Sequence, residues 1–104
     1  MEFILIHRLL GPVPPEIMKK ALELAKTANL ETEKVVPGGK VCAAYAAFGR
    51  TIAVCIWEVP SVDALIPFID QLNFLGWETE VIPAEKMEVA IPRLEKILAQ
   101  QTGS

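Results

Sequence analysis

The chain has 104 residues, a formal net charge of −3 and a pI near 5.1. This length predicts one domain over residues 1–104, with 101–104 as a flexible tail. Lys and Arg do not cluster, which argues against a nucleic-acid partner. No apolar run reaches the roughly 18 residues that a membrane helix needs, and the first residues lack the basic start of a signal peptide. The sequence therefore predicts a cytoplasmic protein that contacts neither nucleic acid nor membrane.

The apolar content is high for a chain of this size. Hydrophobic residues make up 52% of the sequence, and the mean hydropathy is +0.36. A small domain buries only a modest fraction of its surface. The excess of apolar residues therefore predicts an oligomer interface or a ligand cavity.

The chain begins with a predicted strand and a predicted helix. Residues 3–10 are mostly apolar and favour a strand, which Gly11 and Pro12 end. Pro15 suits the first turn of a helix, and an apolar stripe with helical spacing predicts that this helix covers residues 15–29.

Two long apolar runs, at residues 41–48 and 51–57, are the most informative feature of the chain. Gly49 and Arg50 separate them and predict the turn of an antiparallel hairpin. A strand with one face in water alternates apolar and polar residues, whereas a strand buried on both faces is apolar throughout. Both faces of this hairpin are therefore expected to be covered.

The two cysteines lie on the hairpin. A turn at residues 49–50 pairs Cys42 with Trp57 and Cys55 with Ala44, which places both thiols and Phe48 on the face of Trp57. The thiols are then diagonal neighbours, too far apart for a disulfide, and two free buried thiols are expected. With one histidine and no CxxC motif, we expect no metal and no other cofactor.

The second half of the chain predicts a helix and a further strand. Pro60 ends the hairpin, and either Ser61 or Asp63 can cap the helix that follows. Pro67 is expected to bend this helix, or, if Asp63 is the cap, to fall near its first turn and cost less. Residues 77–82 alternate in polarity and predict a fourth strand at an edge of the sheet.

A terminal helix completes the predicted order of elements. The spacing of apolar residues after Glu85 is helical, and Pro92 is expected to divide this segment into a short turn and a helix that ends near Gln100. The order β-α-β-β-α-β plus a terminal helix predicts an α+β, ferredoxin-like domain with a four-stranded antiparallel sheet. Both long helices would cover one face, so we expect a second copy of the chain to cover the open face, giving a homodimer.

Part of the sequence resembles the dimeric α+β barrel superfamily, in which two ferredoxin-like sheets pack face to face. Residues 57–65 (WEVPSVDAL), with Gln71-Leu72 and residues 77–81 (WETEV), are similar to a segment of muconolactone isomerases and to small barrel proteins of unknown role with an acidic residue closing the third strand. The similarity spans residues 45–83. It implies the fold and the dimer.

The hairpin departs from the isomerase pattern. Muconolactone isomerases carry His, Arg, Asn and Tyr there, whereas the matching positions here are Ala43, Ala46, Arg50, Thr51 and Ala53. The related antibiotic-biosynthesis-type monooxygenases share the architecture and work without metal or flavin on substrates bound between sheet and helices.

Three residues are candidates for catalysis. Glu58 ends an apolar strand at the family's acidic position, and in an apolar pocket it could act as a base; otherwise it is an exposed strand-end carboxylate. Tyr45 pairs with Val54, shares a face with Glu58, and could donate to a ligand oxygen or pack at an interface. His7 is the only histidine, lies far from Glu58 in an antiparallel sheet, and is either catalytic or structural.

Two functions remain open. One is a small homodimeric protein with an apolar ligand pocket between sheet and helices. The other is a cofactor-independent isomerase or monooxygenase acting on a small hydrophobic or aromatic-derived acid, lactone or ketone, with Glu58 as base and Tyr45 or His7 orienting the substrate. The missing polar residues of the hairpin favour the first.

Overall fold

The computed structural model describes residues 1–47 and 49–102. Its elements follow the order β-α-β-β-α-β-α and confirm the ferredoxin-like α+β fold. The strands and helices are β1 (Glu2–Leu9), α1 (Pro15–Leu30), β2 (Lys40–Ala46), β3 (Ile52–Glu58), α2 (Ile66–Phe74), β4 (Trp77–Ala84) and α3 (Met87–Gln101). Short 3₁₀ turns at Thr32–Lys34 and Val62–Leu65 follow α1 and precede α2.

The four strands form one antiparallel sheet in the order β2-β3-β1-β4. Helices α1 and α2 pack on one face of this sheet, and the main core lies between them. Leu5, Trp57 and Leu65 are almost completely inaccessible there. The central strands β1 and β3 therefore contribute alternate residues to a well-packed layer.

The other face of the sheet carries no helix of the same chain among the described residues. Ile4 of β1 pairs with Ile56 of β3 and with Ile82 of β4, and all three side chains are half-buried. Ile6 and Val54 continue the same patch. We call this set of five residues the open face.

The hairpin register is correct near the turn and wrong at its far end. Tyr45 pairs with Val54 and Ala44 with Cys55 as predicted, but Val41, rather than Cys42, pairs with Trp57. A β-bulge between Val41 and Ala43 absorbs one extra residue, which leaves Cys42 exposed while Cys55 is buried. The predicted position of Phe48 lies outside the described residues.

The C-terminal segment is one helix, which corrects the prediction that Pro92 divides it. Pro92 lies inside α3. Proline removes a single backbone hydrogen bond, and the carbonyl that would have accepted it can be hydrated on this exposed helix. The helix also includes Gln101, which the sequence placed in the tail.

Capping of the second helix also differs from expectation. Neither the 3₁₀ turn nor α2 has a side-chain capping hydrogen bond, so Ser61 and Asp63 do not act as caps here. Pro67 lies in the first turn of α2, where its missing N–H costs little.

Helix α3 extends away from the rest of the chain. Ala90 is buried near its start, whereas its later apolar side chains, Ile91, Leu94, Ile97 and Leu98, are exposed. The Cα radius of gyration is 16.6 Å, compared with about 13 Å expected for a compact domain of this length. Within residues 1–47 and 49–102, no helix is long and apolar enough to cross a membrane.

Candidate functional site

A cavity of about 480 Å³ lies between α1 and the β2-β3 side of the sheet. On the sheet it is bordered by alanines, Ala44, Ala46 and Ala53, where larger side chains would occupy the space. The small residues of the hairpin therefore leave room for a pocket in addition to packing the sheet. The full lining is His7, Met18, Ala21, Leu22, Ala25, Asn29, Val41, Ala44, Tyr45, Ala46, Ala53, Val54, Cys55, Trp57, Phe68, Leu72 and Trp77.

Helix α1 supplies the opposite wall of the cavity. Met18, Leu22, Ala25 and Asn29 are spaced three or four residues apart and so lie on one side of the helix. Met18 and Leu22 are 38% and 57% exposed, so they lie where the cavity meets solvent. The position of α1 on the sheet thus decides both the depth of the cavity and its opening.

A hydrogen-bonded group of side chains lies in the cavity wall. His7 Nδ1 lies 2.8 Å from the Oγ1 of Thr79, and its Nε2 lies 3.0 Å from the Sγ of Cys55. The indole Nε1 of Trp57 donates to the same sulfur at 3.1 Å. Both nitrogens of the imidazole therefore have a partner, whichever of them carries the proton.

Burial keeps this group uncharged. Desolvation lowers the pKa of His7 from 6.5 to about 4. Desolvation also raises the pKa of the Cys55 thiol from 9.0 to about 11, against the smaller opposing effect of the hydrogen bond from Trp57. At pH 7 the pair is a neutral imidazole and a neutral thiol.

Aromatic rings form the inner end of the cavity. Phe68 of α2 meets His7 edge-on, with ring centroids 5.9 Å apart, and lies 5.6 Å from the ring of Trp57. The indole Nε1 of Trp77 is buried, and the described residues offer it no acceptor. A buried unpaired donor of this kind costs roughly 1–3 kcal/mol, which an oxygen acceptor could recover.

The strand register separates the three predicted site residues. His7 and Tyr45 both border the cavity, but Tyr45 pairs with Val54 and Val54 with Ile6, so the side chain of Tyr45 lies on the side of the open face and not beside His7. Glu58 is exposed at the far end of β3, opposite Glu2 of β1, and borders a separate surface depression beside Met1. Tyr45 itself is 75% exposed, so its side chain is available at the edge strand β2.

Sequence reasoning missed Thr79 and the partnership of Cys55 with His7. The strand order places β1 between β3 and β4, so His7 pairs with Ala53 on one side and with Thr79 on the other. Applying the ferredoxin-like strand order to the predicted strands would have placed His7 between the strands that carry Cys55 and Thr79. The sequence alone offered only three separate polar residues on three strands.

No group of three or more His, Cys, Asp or Glu side chains suited to a metal ion occurs within the described part of the chain.

Comparison with solved structures establishes the class of fold. A crystal structure of muconolactone isomerase matches with a TM-score of 0.59 and 22% identity, over 83% of this chain and 90% of that one. An antibiotic biosynthesis monooxygenase matches with a TM-score of 0.50 and 15% identity, over 83% and 100% of the two chains. A protein from Streptomyces coelicolor A3(2) has a TM-score of 0.47 and 19% identity, over 83% and 100%.

Neither a protein-family profile nor a curated protein sequence matches the chain. The structural matches confirm a ferredoxin-like fold of the muconolactone isomerase type.

Proposed function

We propose that the protein is a cytoplasmic, homodimeric binding protein for a small apolar ligand, held between the sheet and α1. The cavity carries this proposal, because it is large enough for a small organic molecule and its lining is mostly aliphatic and aromatic. Ligand pockets of this kind bury most of an apolar molecule and contain few polar groups.

A cavity-filling variant tests ligand binding. Ala25 borders the cavity from α1 and is exposed, so Ala25→Phe fills the pocket with little disturbance of the core. The matched control is Ala99→Phe on the exposed surface of α3. We expect 2-acetylnaphthalene, a neutral aromatic probe, to bind wild type and Ala99→Phe in calorimetric titrations and not to bind Ala25→Phe. Equal binding by all three proteins would show that the probe binds elsewhere.

The homodimer is the second part of the proposal, and the open face supports it. Its five apolar residues span three neighbouring strands and stay partly exposed in the single chain. Contiguous apolar patches mark interaction sites, and an isologous interface requires a self-complementary patch. The apolar residues of two such faces can meet in this way, with the Arg8–Glu80 ion pair beside them on the same face.

Oligomeric state in solution tests the dimer directly. Light scattering should give twice the chain mass of 11.4 kDa. Ile56→Lys places a charge in the open face and should yield monomers, whereas Leu30→Lys, at a site 82% exposed on α1, should stay dimeric. A wild-type monomer would contradict this part of the proposal.

His7 favours a second candidate function, a cofactor-independent isomerase or monooxygenase. It is a neutral imidazole in the wall of an apolar cavity, and an isomerase needs a base that removes a proton beside a carbonyl group. Burial weakens His7 as a base, and one of its hydrogen bonds, to Thr79 or to Cys55, would have to open for it to reach a substrate. Two structural neighbours, a muconolactone isomerase and an antibiotic biosynthesis monooxygenase, agree with this candidate. His7 would act as base, and Tyr45 and Glu58 would act only if a conformational change or a partner brought their side chains to the cavity.

Hydrogen exchange into a bound ketone tests the enzyme candidate. In D₂O, a base in the cavity should exchange the methyl protons of 2-acetylnaphthalene, which NMR follows as loss of the methyl signal. The rate should fall to the buffer rate in His7→Gln and stay unchanged in Glu58→Gln. If wild type binds the probe but exchanges its methyl protons no faster than buffer does, the enzyme candidate is contradicted and only the binding function stands.

A further inference from the structure

The charge of the ligand follows from an inventory of the cavity wall. Among residues 1–47 and 49–102, none of those that line the cavity is Asp, Glu, Lys or Arg. The charged side chains of α1, such as Lys20 and Glu23, border a different depression on the far side of that helix. The cavity therefore contains no counter-ion for a charged ligand.

The polar groups of the wall are also largely committed to each other. Both imidazole nitrogens of His7 have partners, and the amide nitrogen of Asn29 donates to the backbone carbonyl of Ala25 at 2.8 Å. The sulfur of Cys55 accepts from Trp57. The indole Nε1 of Trp77 is the buried side-chain donor that the described residues leave without an acceptor. One N–H can serve a ketone oxygen, whereas a carboxylate needs several donors to replace its water.

Protonation does not supply the missing positive charge. His7 is the only histidine of the chain, and its imidazole stays neutral at pH 7 because burial disfavours the imidazolium. Transfer of an ionised carboxylate into apolar surroundings without a paired charge is far more costly than transfer of a ketone of the same shape.

We propose that the cavity selects uncharged ligands, of the class of aromatic or alicyclic ketones, and excludes carboxylates of the same size. This inference rests on the proposed function, since it specifies the ligand of that cavity. Of the small hydrophobic acids, lactones and ketones that are candidate ligands, it favours the uncharged lactones and ketones over the acids.

A pair of isosteric probes tests the selection. 2-Acetylnaphthalene carries a methyl group where 2-naphthoate carries a charged oxygen, and the two are otherwise alike. Both can be titrated by calorimetry at pH 7. We expect the ketone to bind about 100-fold more tightly than the carboxylate. Equal or tighter binding of 2-naphthoate would overturn the inference and leave the binding function standing, whereas failure of both probes to bind would overturn both.

A variant with an added charge tests the physical cause. Leu22 lies at the rim of the cavity and is 57% exposed, so Leu22→Lys can place an ammonium group there without burying it. Leu22→Met is the matched neutral control. We expect the ratio of 2-naphthoate affinity to ketone affinity to be about tenfold higher in Leu22→Lys than in Leu22→Met. No gain for the carboxylate would show that the missing charge is not what excludes it.

Discussion

Among the described residues, His7 is the polar residue whose side chain is buried away from water. Its side chain is 6% exposed, between Thr79 and Cys55, and each ring nitrogen has one partner. The unfolded chain returns this imidazole to water, where its pKa is near 6.5. Folding therefore lowers the proton affinity of this imidazole.

This difference predicts a loss of stability in acid. Between pH 6.5 and pH 4 the unfolded state binds a proton that the folded state does not, so the free energy of unfolding falls as the pH falls. The contribution of His7 to the free energy of unfolding is fully present above pH 6.5 and is lost as the pH falls to 4. The shift in the pKa of His7 alone corresponds to about 3 kcal/mol. Denaturant titrations across this window should show a flatter pH profile for His7→Gln than for wild type. Parallel profiles for the two proteins would contradict the assignment.

The connection between α2 and β4 depends on one glycine. Gly76 has φ of +89°, a conformation that side chains disfavour, and a Cβ there would lie 2.9 Å from the Cγ1 of Val13. Its carbonyl accepts from the backbone N–H of Leu10 at 3.0 Å, so this turn is tied to the end of β1. The turn is thus constrained both by backbone conformation and by close packing.

Two glycine substitutions separate these constraints. Gly49 in the hairpin turn has a similar φ of +70°, but nothing lies within 4 Å of its Cβ position. Ala at either site pays roughly 1–2 kcal/mol for the left-handed backbone. Gly76→Ala must also displace Val13, so its denaturation midpoint should fall further than that of Gly49→Ala. Equal midpoints would mean that Val13 moves away without cost.

Helix α3 has little support from its own chain. Beyond Ala90 its apolar side chains are exposed, and an isolated helix of this length is marginally stable in water. Amide exchange measured by mass spectrometry should therefore be much faster in residues 91–101 than in β1. Protection of α3 equal to that of the sheet would instead show that a partner chain covers it.

At the scale of the whole molecule, two apolar surfaces of the single chain lack a cover among the described residues. They are the open face and the exposed stripe of α3, and both contribute to the high apolar content of the sequence. A partner that binds only the folded state stabilises it by mass action.

A dimer therefore predicts a melting temperature that depends on concentration. The midpoint for wild type should rise when the protein concentration is raised 100-fold, whereas the midpoint of Ile56→Lys should stay constant. Differential scanning fluorimetry over that range measures both. A constant midpoint for wild type would contradict coupling between folding and association.

Local sequence patterns determined the elements of this protein. Apolar spacing and proline positions located α1, and Gly49-Arg50 located the hairpin turn, because helix periodicity and turn chemistry depend on neighbouring residues. The same patterns led to the ferredoxin-like order and to an apolar sheet. They failed at Pro92, because an exposed helix can tolerate one missing hydrogen bond.

The site required the tertiary structure, since its residues are distant in sequence. Strand order brought His7 beside both Cys55 and Thr79, and the position of α1 opened the cavity next to them. The bulge at Cys42 separated the two thiols, and the alternation of side chains along β3 placed Glu58 on the face opposite Trp57 and the cavity. These outcomes depend on contacts between elements, which the local preferences of any one segment do not encode.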